Sequence, residues 1–357
     1  TFEKKIKNNI EVVSGDICDQ NLISKEMKKV DIVFHLAALI SIPYSYQSPR
    51  SYISTNVTGT LNMLEASREN DVELFVQTST SEVYGSSQFI PITEKHPLNA
   101  QSPYAATKIA ADQLSLSYYR TFDLPVLVLR PFNTFGPRQS LRAAIPTIIT
   151  QIINKKKSIK LGSLKPKRDF TYVSDTVDGF ISAIGNKKCL GEIINLGTGY
   201  DFSIGETLNS IEKIMSKSVK VITDKKRIRP KKSEVNQLVS SNIKAKKILG
   251  WKPKFSNLNG FKKGLENTIE WFKKPENIKY YKSLSQIKDI NKFNIIFFAV
   301  KPQVINKVIK DYKKVYLKNK LIISIIAGKN ISFFEHILGN DISIVRTMPN
   351  LPASIGK

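Results

Sequence analysis

The stretch "ELFVQTSTSEVYG" (residues 73–85) is an apolar run that ends in hydroxyls and a single carboxylate. Its first half has the length and near-continuous apolarity of a strand buried on both faces, the kind found in parallel sheets. Strands of a doubly wound sheet deliver functional side chains at their carboxyl ends, where loops and helix N-termini form a crevice. On that reading Thr80, Ser81 and Glu82 stand at a crevice; read locally, the same cluster caps the next turn.

Runs of the same kind lie to either side: "IEVVSGD" (10–16), "VDIVFHLAA" (30–38) and "LPVLVLRP" (124–131), with helical patterns over 50–70 and 102–120. The alternation predicts an α/β fold with a doubly wound, Rossmann-like parallel sheet. After Pro131 the strands shorten, which predicts a smaller α/β substrate lobe from about residue 132. It contains a helix over 140–154 starting near Ser140, a strand entering a helix over 168–184 capped by Ser174 or Asp175, and a strand within 191–199. A short helix within 241–253 stops at Gly250, and another spans 257–273. Pro275 and its polar neighbours mark a boundary. A new rhythm begins beyond about 283: strand 294–300, helix 302–316, strand 321–327, helix 331–338, strand 342–347. The expected organisation is a domain over 1–282 and a partial Rossmann segment over 283–357.

A chain of 357 residues can bury a large core. Its longest apolar runs, 294–300 and 321–328, are strand-length, so no membrane span is expected. Cys18 and Cys189 lack metal-type spacing and the three histidines are far apart, which points to a reducing cytoplasm and no structural metal. The net charge of +25 comes mostly from lysines scattered through every segment. That pattern reads as a solvated surface with no nucleic-acid partner, because electrostatic steering needs charge gathered on one face. A non-catalytic basic binding protein is the alternative of another class, and it requires such convergence.

The second informative motif is "SPYAATK" (102–108). Tyr104 and Lys108 are four apart at the start of a helix, hence on one face. A free phenol has a pKa of about 10 and is a poor base near neutrality. A neighbouring ammonium, together with a nicotinamide cation, favours the phenolate, which lets Tyr104 take a hydroxyl proton.

The set "SGDICD", "VFHLAALISIPYSYQSP", "YISTNVTGTLNML", "TSTSEVYG", "SPYAATK", "RPFNTFGPRQ" and "RDFTYVSDTVDGF" resembles the extended short-chain dehydrogenase/reductase family over about 8–282. Within it the chain is most similar to NAD-dependent nucleotide-sugar 4,6-dehydratases, particularly those acting on nucleotide-linked N-acetylglucosamine in legionaminic acid pathways. The resemblance implies oxidation at C4 with NAD, elimination of water across C5 and C6, and hydride return to C6. It places Tyr104 at the C4 hydroxyl, Thr80 at the C4 oxygen, and Glu82 as the C5 base. Ser81 replaces the aspartate that many dTDP-glucose dehydratases use to protonate the leaving water, as in the GDP-mannose branch. By motif, Asp16 and Ile17 border the adenine, Leu36, Ala37 and Ala38 line the cofactor loop, and Thr55 supports it. Lys108 also reaches the nicotinamide ribose, and Asn133, Arg168 and Arg229 meet the nucleotide or diphosphate of the substrate. The intact family implies a homodimer. UDP-glucuronate decarboxylase and nucleotide-sugar 4-epimerase are the alternatives within the class.

Two departures accompany the resemblance. None of the seventeen glycines has the GxxGxxG spacing on which the family seats the pyrophosphate, and the chain opens near the family's third strand. The expectation is a missing first strand–helix–strand unit and weak NAD binding. Secondly, "IIFFAVKPQ" (295–303), "LIISIIAG" (321–328) and "VRTMPNLPASIGK" (345–357) resemble pyrroline-5-carboxylate reductase. Ala299 to Pro302 match its cofactor loop and Pro349 with Asn350 a loop near its nicotinamide. That family's own glycine-rich start and helical domain have no counterpart here, so no reductase activity is expected.

Overall fold

The computed structural model describes residues 9–13, 15–154, 158–224, 227–228, 230–274, 283–287, 289–300, 304–313, 317, 320–324, 326, 329–339 and 341–346. The chain divides into two compact units, Thr1–Lys274 and Pro275–Lys357.

The first unit is built on a four-stranded parallel sheet. Strands β1 (Ile32–His35), β2 (Leu74–Thr78) and β3 (Val126–Pro131) lie side by side in that order, and Ile193–Leu196 follows as the fourth. Val76 pairs with Phe34 on one side and Leu127 on the other. Because helices cover both faces, alternate residues enter separate cores. Leu74, Val76, Leu127 and Leu129 pack with Phe180, Ile194 and Trp251. Phe75, Val126 and Val128 pack with Leu64 and Leu116 on the opposite face.

The helix Pro103–Phe122 carries the second motif. Ser102 caps it, its Oγ accepting from the Ala105 amide at 3.1 Å, and Pro103 occupies the first turn, where its missing N–H costs nothing. Asp123, at φ 55°, ends it in the left-handed region.

The smaller lobe gathers the helices Ala144–Ile153, Ile204–Met215 and Asn257–Lys273 around short strands. Phe261 lies between the rings of Phe170 at 5.5 Å and Phe202 at 4.3 Å, both stacked, with the Phe135 ring at 5.4 Å. In the second unit three parallel strands, Ile295–Phe298, Leu321–Ser324 and Ser343–Arg346, lie in sequence order. With the helices Ile305–Tyr312 and Ile331–Leu338 they bury Phe298, Ile305, Ile322 and Phe334.

Several sequence expectations need correction. The run 10–16 forms no strand in its described residues: Val12 is 78 % and Val13 46 % exposed, and the run pairs with no other strand. An apolar run becomes a strand only with a neighbour to satisfy its backbone groups. The helix expected over 50–70 is three pieces, Pro49–Ile53, a π-helical turn Ser54–Thr58, and Gly59–Glu69. The helix expected from Ser140 begins at Ala144, after a turn in which the Ala143 amide donates to the Ser140 carbonyl at 3.0 Å. Neither Ser174 nor Asp175 caps the helix Val173–Ile181; Tyr172 is at that position, and Asp175 is buried, accepting from the Phe255 amide at 2.8 Å. Gly250 ends its helix in the left-handed region at φ 65°, and the 257–273 helix has the expected span.

Removing the Phe261 ring leaves a cavity at the centre of the smaller lobe. Phe261→Ala should lower stability by about 3–5 kcal/mol, seen as an earlier urea midpoint for the first unit.

Candidate active site

Thr80, Ser81 and Glu82 leave the carboxyl end of β2 in a short 3₁₀ turn, Ser81–Tyr84. Thr80 caps the turn, its Oγ1 accepting from the Glu82 amide at 3.2 Å. Gly85 follows at φ 63°, and a Cβ there would lie 2.3 Å from the Asn99 carbonyl oxygen, so only glycine lets the chain turn so closely. Ser81 is buried and Glu82 half-buried.

Tyr104 comes to this strand end from its own helix. Burial holds its phenol above the usual range, a hydrogen bond with the Thr80 hydroxyl opposes that shift, and the charge of Glu82 adds to it. The Lys108 Nζ donates to the Thr78 carbonyl at the end of β2. With Tyr104 only 6 % exposed, desolvation is the largest influence on its phenol. Lys108 is itself buried, and burial pushes it down to about 8 against the opposing charge of Asp112.

The loop after β1 carries Leu36, Ala37 and Ala38, the first two exposed. Asn56 clamps it, its Oδ1 accepting from the Leu39 amide at 2.8 Å and its Nδ2 donating to the Leu39 carbonyl at 3.0 Å. The same Nδ2 reaches Thr107 Oγ1 at 3.1 Å, and Thr107 donates to the Tyr104 carbonyl at 2.8 Å. One buried amide thus ties the cofactor-loop candidates to the helix of Tyr104. Thr55 sits beside Asn56 in the π-helical turn. Asp16 is exposed and accepts from the Cys18 amide at 2.9 Å. The Ile17 side chain packs so closely on Gly59 that a Cβ there would lie 2.5 Å away.

Asn133 and Arg168 line a cavity of about 820 Å³, together with Arg142, Arg227, Asp224 and Glu234. Arg168 faces Glu234 at 3.7 Å and Arg227 faces Asp224 at 3.5 Å. The Asn133 Oδ1 is buried without a hydrogen-bond partner. Three guanidiniums on one cavity supply the forked donors that suit phosphate oxygens. Thr80, Ser81, Glu82, Tyr104 and Lys108 do not line this cavity; Tyr44, which does, also packs against the apolar cluster that includes Tyr104. Arg229 lies outside the described residues, as do Lys301, Pro302, Pro349 and Asn350 in the second unit.

Sequence reasoning missed Asn56, Asp112, Arg130, Arg142 and Arg227. Asn56 had a signal, a polar residue within the expected helix 50–70. Arg227 stands in the basic run 224–232 from which Arg229 was chosen.

A family model described as GDP-mannose 4,6-dehydratase matches residues 1–264. The chain belongs to this family of NAD-dependent sugar dehydratases and epimerases. It is 31 % identical over 288 residues to the dTDP-D-glucose 4,6-dehydratase of Homo sapiens, covering 78 % of this chain and 79 % of that protein. The dTDP-glucose 4,6-dehydratase DesIV of Streptomyces venezuelae, solved with NAD, superposes with a TM-score of 0.67 at 28 % identity, over 73 % of this chain and 79 % of that one. UDP-glucuronic acid 4-epimerase of Bacillus cereus, solved with UDP-glucuronic acid and NAD, gives 0.67 at 29 %, over 75 % and 84 %. Family membership makes the chain an enzyme of nucleotide-sugar chemistry by descent, and its dehydratase and epimerase relatives share one fold.

His35, buried behind Lys108, bonds Thr60 Oγ1 at 3.0 Å; burial, then the Lys108 charge, pushes it down to about 3. Unfolded, it titrates near 6.5. The unfolded chain therefore takes up this proton first as pH falls, so the stability is full above 6.5 and is lost toward 3. His35→Gln should flatten that acid limb by a slope approaching about 1.4 kcal/mol per pH unit, measured by denaturation at a series of pH values.

Proposed function

We propose that the first unit carries the reacting centre of a 4,6-dehydratase for a nucleotide-linked N-acetylglucosamine, with NAD as cofactor. The observation that carries this reading is the succession Thr80, Ser81, Glu82 at the end of β2 beside the buried Tyr104. A 4-epimerase needs only the tyrosine and a hydride acceptor, whereas elimination needs a base and a proton donor on adjacent carbons.

The residues at the nicotinamide end fit the cofactor: the buried Lys108 cation, and the loop Leu36–Ala38 held open by Asn56. Asp16, Ile17 and Thr55 would border the adenosine side. The glycine-rich turn that seats the pyrophosphate is not in this sequence. Bound there, NAD would supply a reversible hydride acceptor for the sugar. Tyr104 receives the C4 hydroxyl proton, and Thr80 holds the C4 oxygen by a hydrogen bond. A carbonyl at C4 acidifies the C5 hydrogen, and the Glu82 carboxylate removes it. The C6 oxygen departs as water, accepting a proton from the buried Ser81 hydroxyl, which solvent restores, and when hydride returns to C6 the protonated Glu82, exchanged with solvent, gives a proton back to C5. Asn133, Arg142, Arg168 and Arg227 hold the nucleotide diphosphate in the cavity alongside, with Arg229 a further candidate.

The reading extends to a homodimer working in the cytoplasm, as the resemblance implies. For 283–357 it assigns a partial pyrroline-5-carboxylate reductase-like unit without reductase activity. Its support there is the parallel strand Ile295–Phe298 leading to Ala299.

Glu82→Gln should leave C4 oxidation intact and slow the release of 4-keto-6-deoxy product by about 10²–10⁴-fold, assayed with UDP- and GDP-N-acetylglucosamine. Full-rate dehydration by this variant removes Glu82 as the C5 base.

A further inference from the structure

Behind the reacting pair lies a buried polar network that the dehydration steps do not use. Asp112 stands one helical turn beyond Lys108 on the same face, fully buried. Ser79 Oγ donates to its Oδ2 at 2.7 Å, and Arg130 donates to the same oxygen through Nε at 3.1 Å and Nη2 at 2.9 Å. Nη1 of Arg130 reaches the Tyr84 hydroxyl at 2.9 Å, which donates to Asn195 Oδ1 at 2.7 Å. With these bonds gathered on Oδ2, the Oδ1 of Asp112 is buried and has no hydrogen-bond partner.

The groups that act on Lys108 come from two strands and its own helix: His35 from β1, the Thr78 carbonyl from β2, and Tyr104 and Asp112 from the helix. Arg130 stands behind Asp112 on β3, and Glu82 beyond Tyr104. A buried ammonium without a counter-charge gives up its proton. Asp112 is the carboxylate whose charge opposes that loss at Lys108.

We propose that Asp112, locked by Arg130 and Ser79, is a positioning residue for the Tyr104–Lys108 pair, balancing the Lys108 ammonium and tying the strand end of Thr80 to the helix of Tyr104. The inference rests on the assignment of Tyr104 and Lys108 as reacting groups. Two tethers join the same pieces, Lys108 to the Thr78 carbonyl and Asp112 to Ser79, so helix and strand end are held in one register.

The test is the pH titration of Lys108 in the full chain, read from the ¹³Cε signal of labelled lysine and assigned by its loss in Lys108→Arg. It uses neither cofactor nor substrate, so a wrong choice of sugar or of C5 base leaves it unaffected. Asp112→Asn should lower the Lys108 midpoint by about one pH unit or more, and Asp112→Glu should restore it. Because Asp112→Asn strands the Arg130 guanidinium and can unfold the chain, the double variant Asp112→Asn with Arg130→Met serves as second probe, with a lowered midpoint again expected. An unchanged midpoint in the folded variants, or a fall as large in Asp112→Glu as in Asp112→Asn, overturns the proposal.

Discussion

A single buried ion pair, Arg130 with Asp112 at 2.9 Å, joins the three elements on which the site depends. Arg130 comes from β3, Asp112 from the helix of Tyr104 and Lys108, and Ser79 from the end of β2. Both charged groups are almost wholly removed from water, so their desolvation is offset only by good geometry and by further hydrogen bonds. Those bonds are present on both sides, from Ser79 to the carboxylate and from the guanidinium to Tyr84, whose ring also lies 5.0 Å from Arg130. Removing one partner of such a pair costs about 3–5 kcal/mol.

The rest of the reacting centre is layered on that contact. Asn56 fixes the loop after β1 against the first turn of the same helix through Thr107, so the loop proposed for the cofactor and the helix of Tyr104 are held together. Tyr44 lines the arginine-bearing cavity and also packs with the cluster that includes Tyr104. Of the groups proposed to move protons, Ser81, Tyr104 and Lys108 are buried and Glu82 half-buried, while of those proposed to grip phosphates Arg168 is buried and Arg142 and Arg227 are exposed. This separation suits a scaffold in which one reaction centre serves different nucleotides.

Much of this was legible in the sequence because parallel strands buried on both faces read as continuous apolar runs, as β2 and β3 do. Tyr104 and Lys108 were legible because helical spacing puts them on one face. Asp112 was not, since its partners lie 33 and 18 residues away and nothing in a local pattern distinguishes it from a solvated acid. The run 10–16 misled because apolarity signals burial without revealing whether a pairing strand is at hand. Asp175 misled in the opposite sense: it has the composition of a cap, yet tertiary contact with Phe255 claims its carboxylate. Arg227 and Arg229 stand in one basic run whose register no periodicity specifies.

The central claim is that the Thr80–Glu82 turn performs an elimination at C5 and C6 as well as oxidation at C4. Turnover of UDP-N-acetylglucosamine with NAD in deuterium oxide tests it most directly, with the product read by mass and proton spectra. The account predicts a 4-keto-6-deoxy sugar that has lost one water and carries solvent deuterium at C5. A 4-epimer of unchanged composition with protium retained at C5 would contradict it.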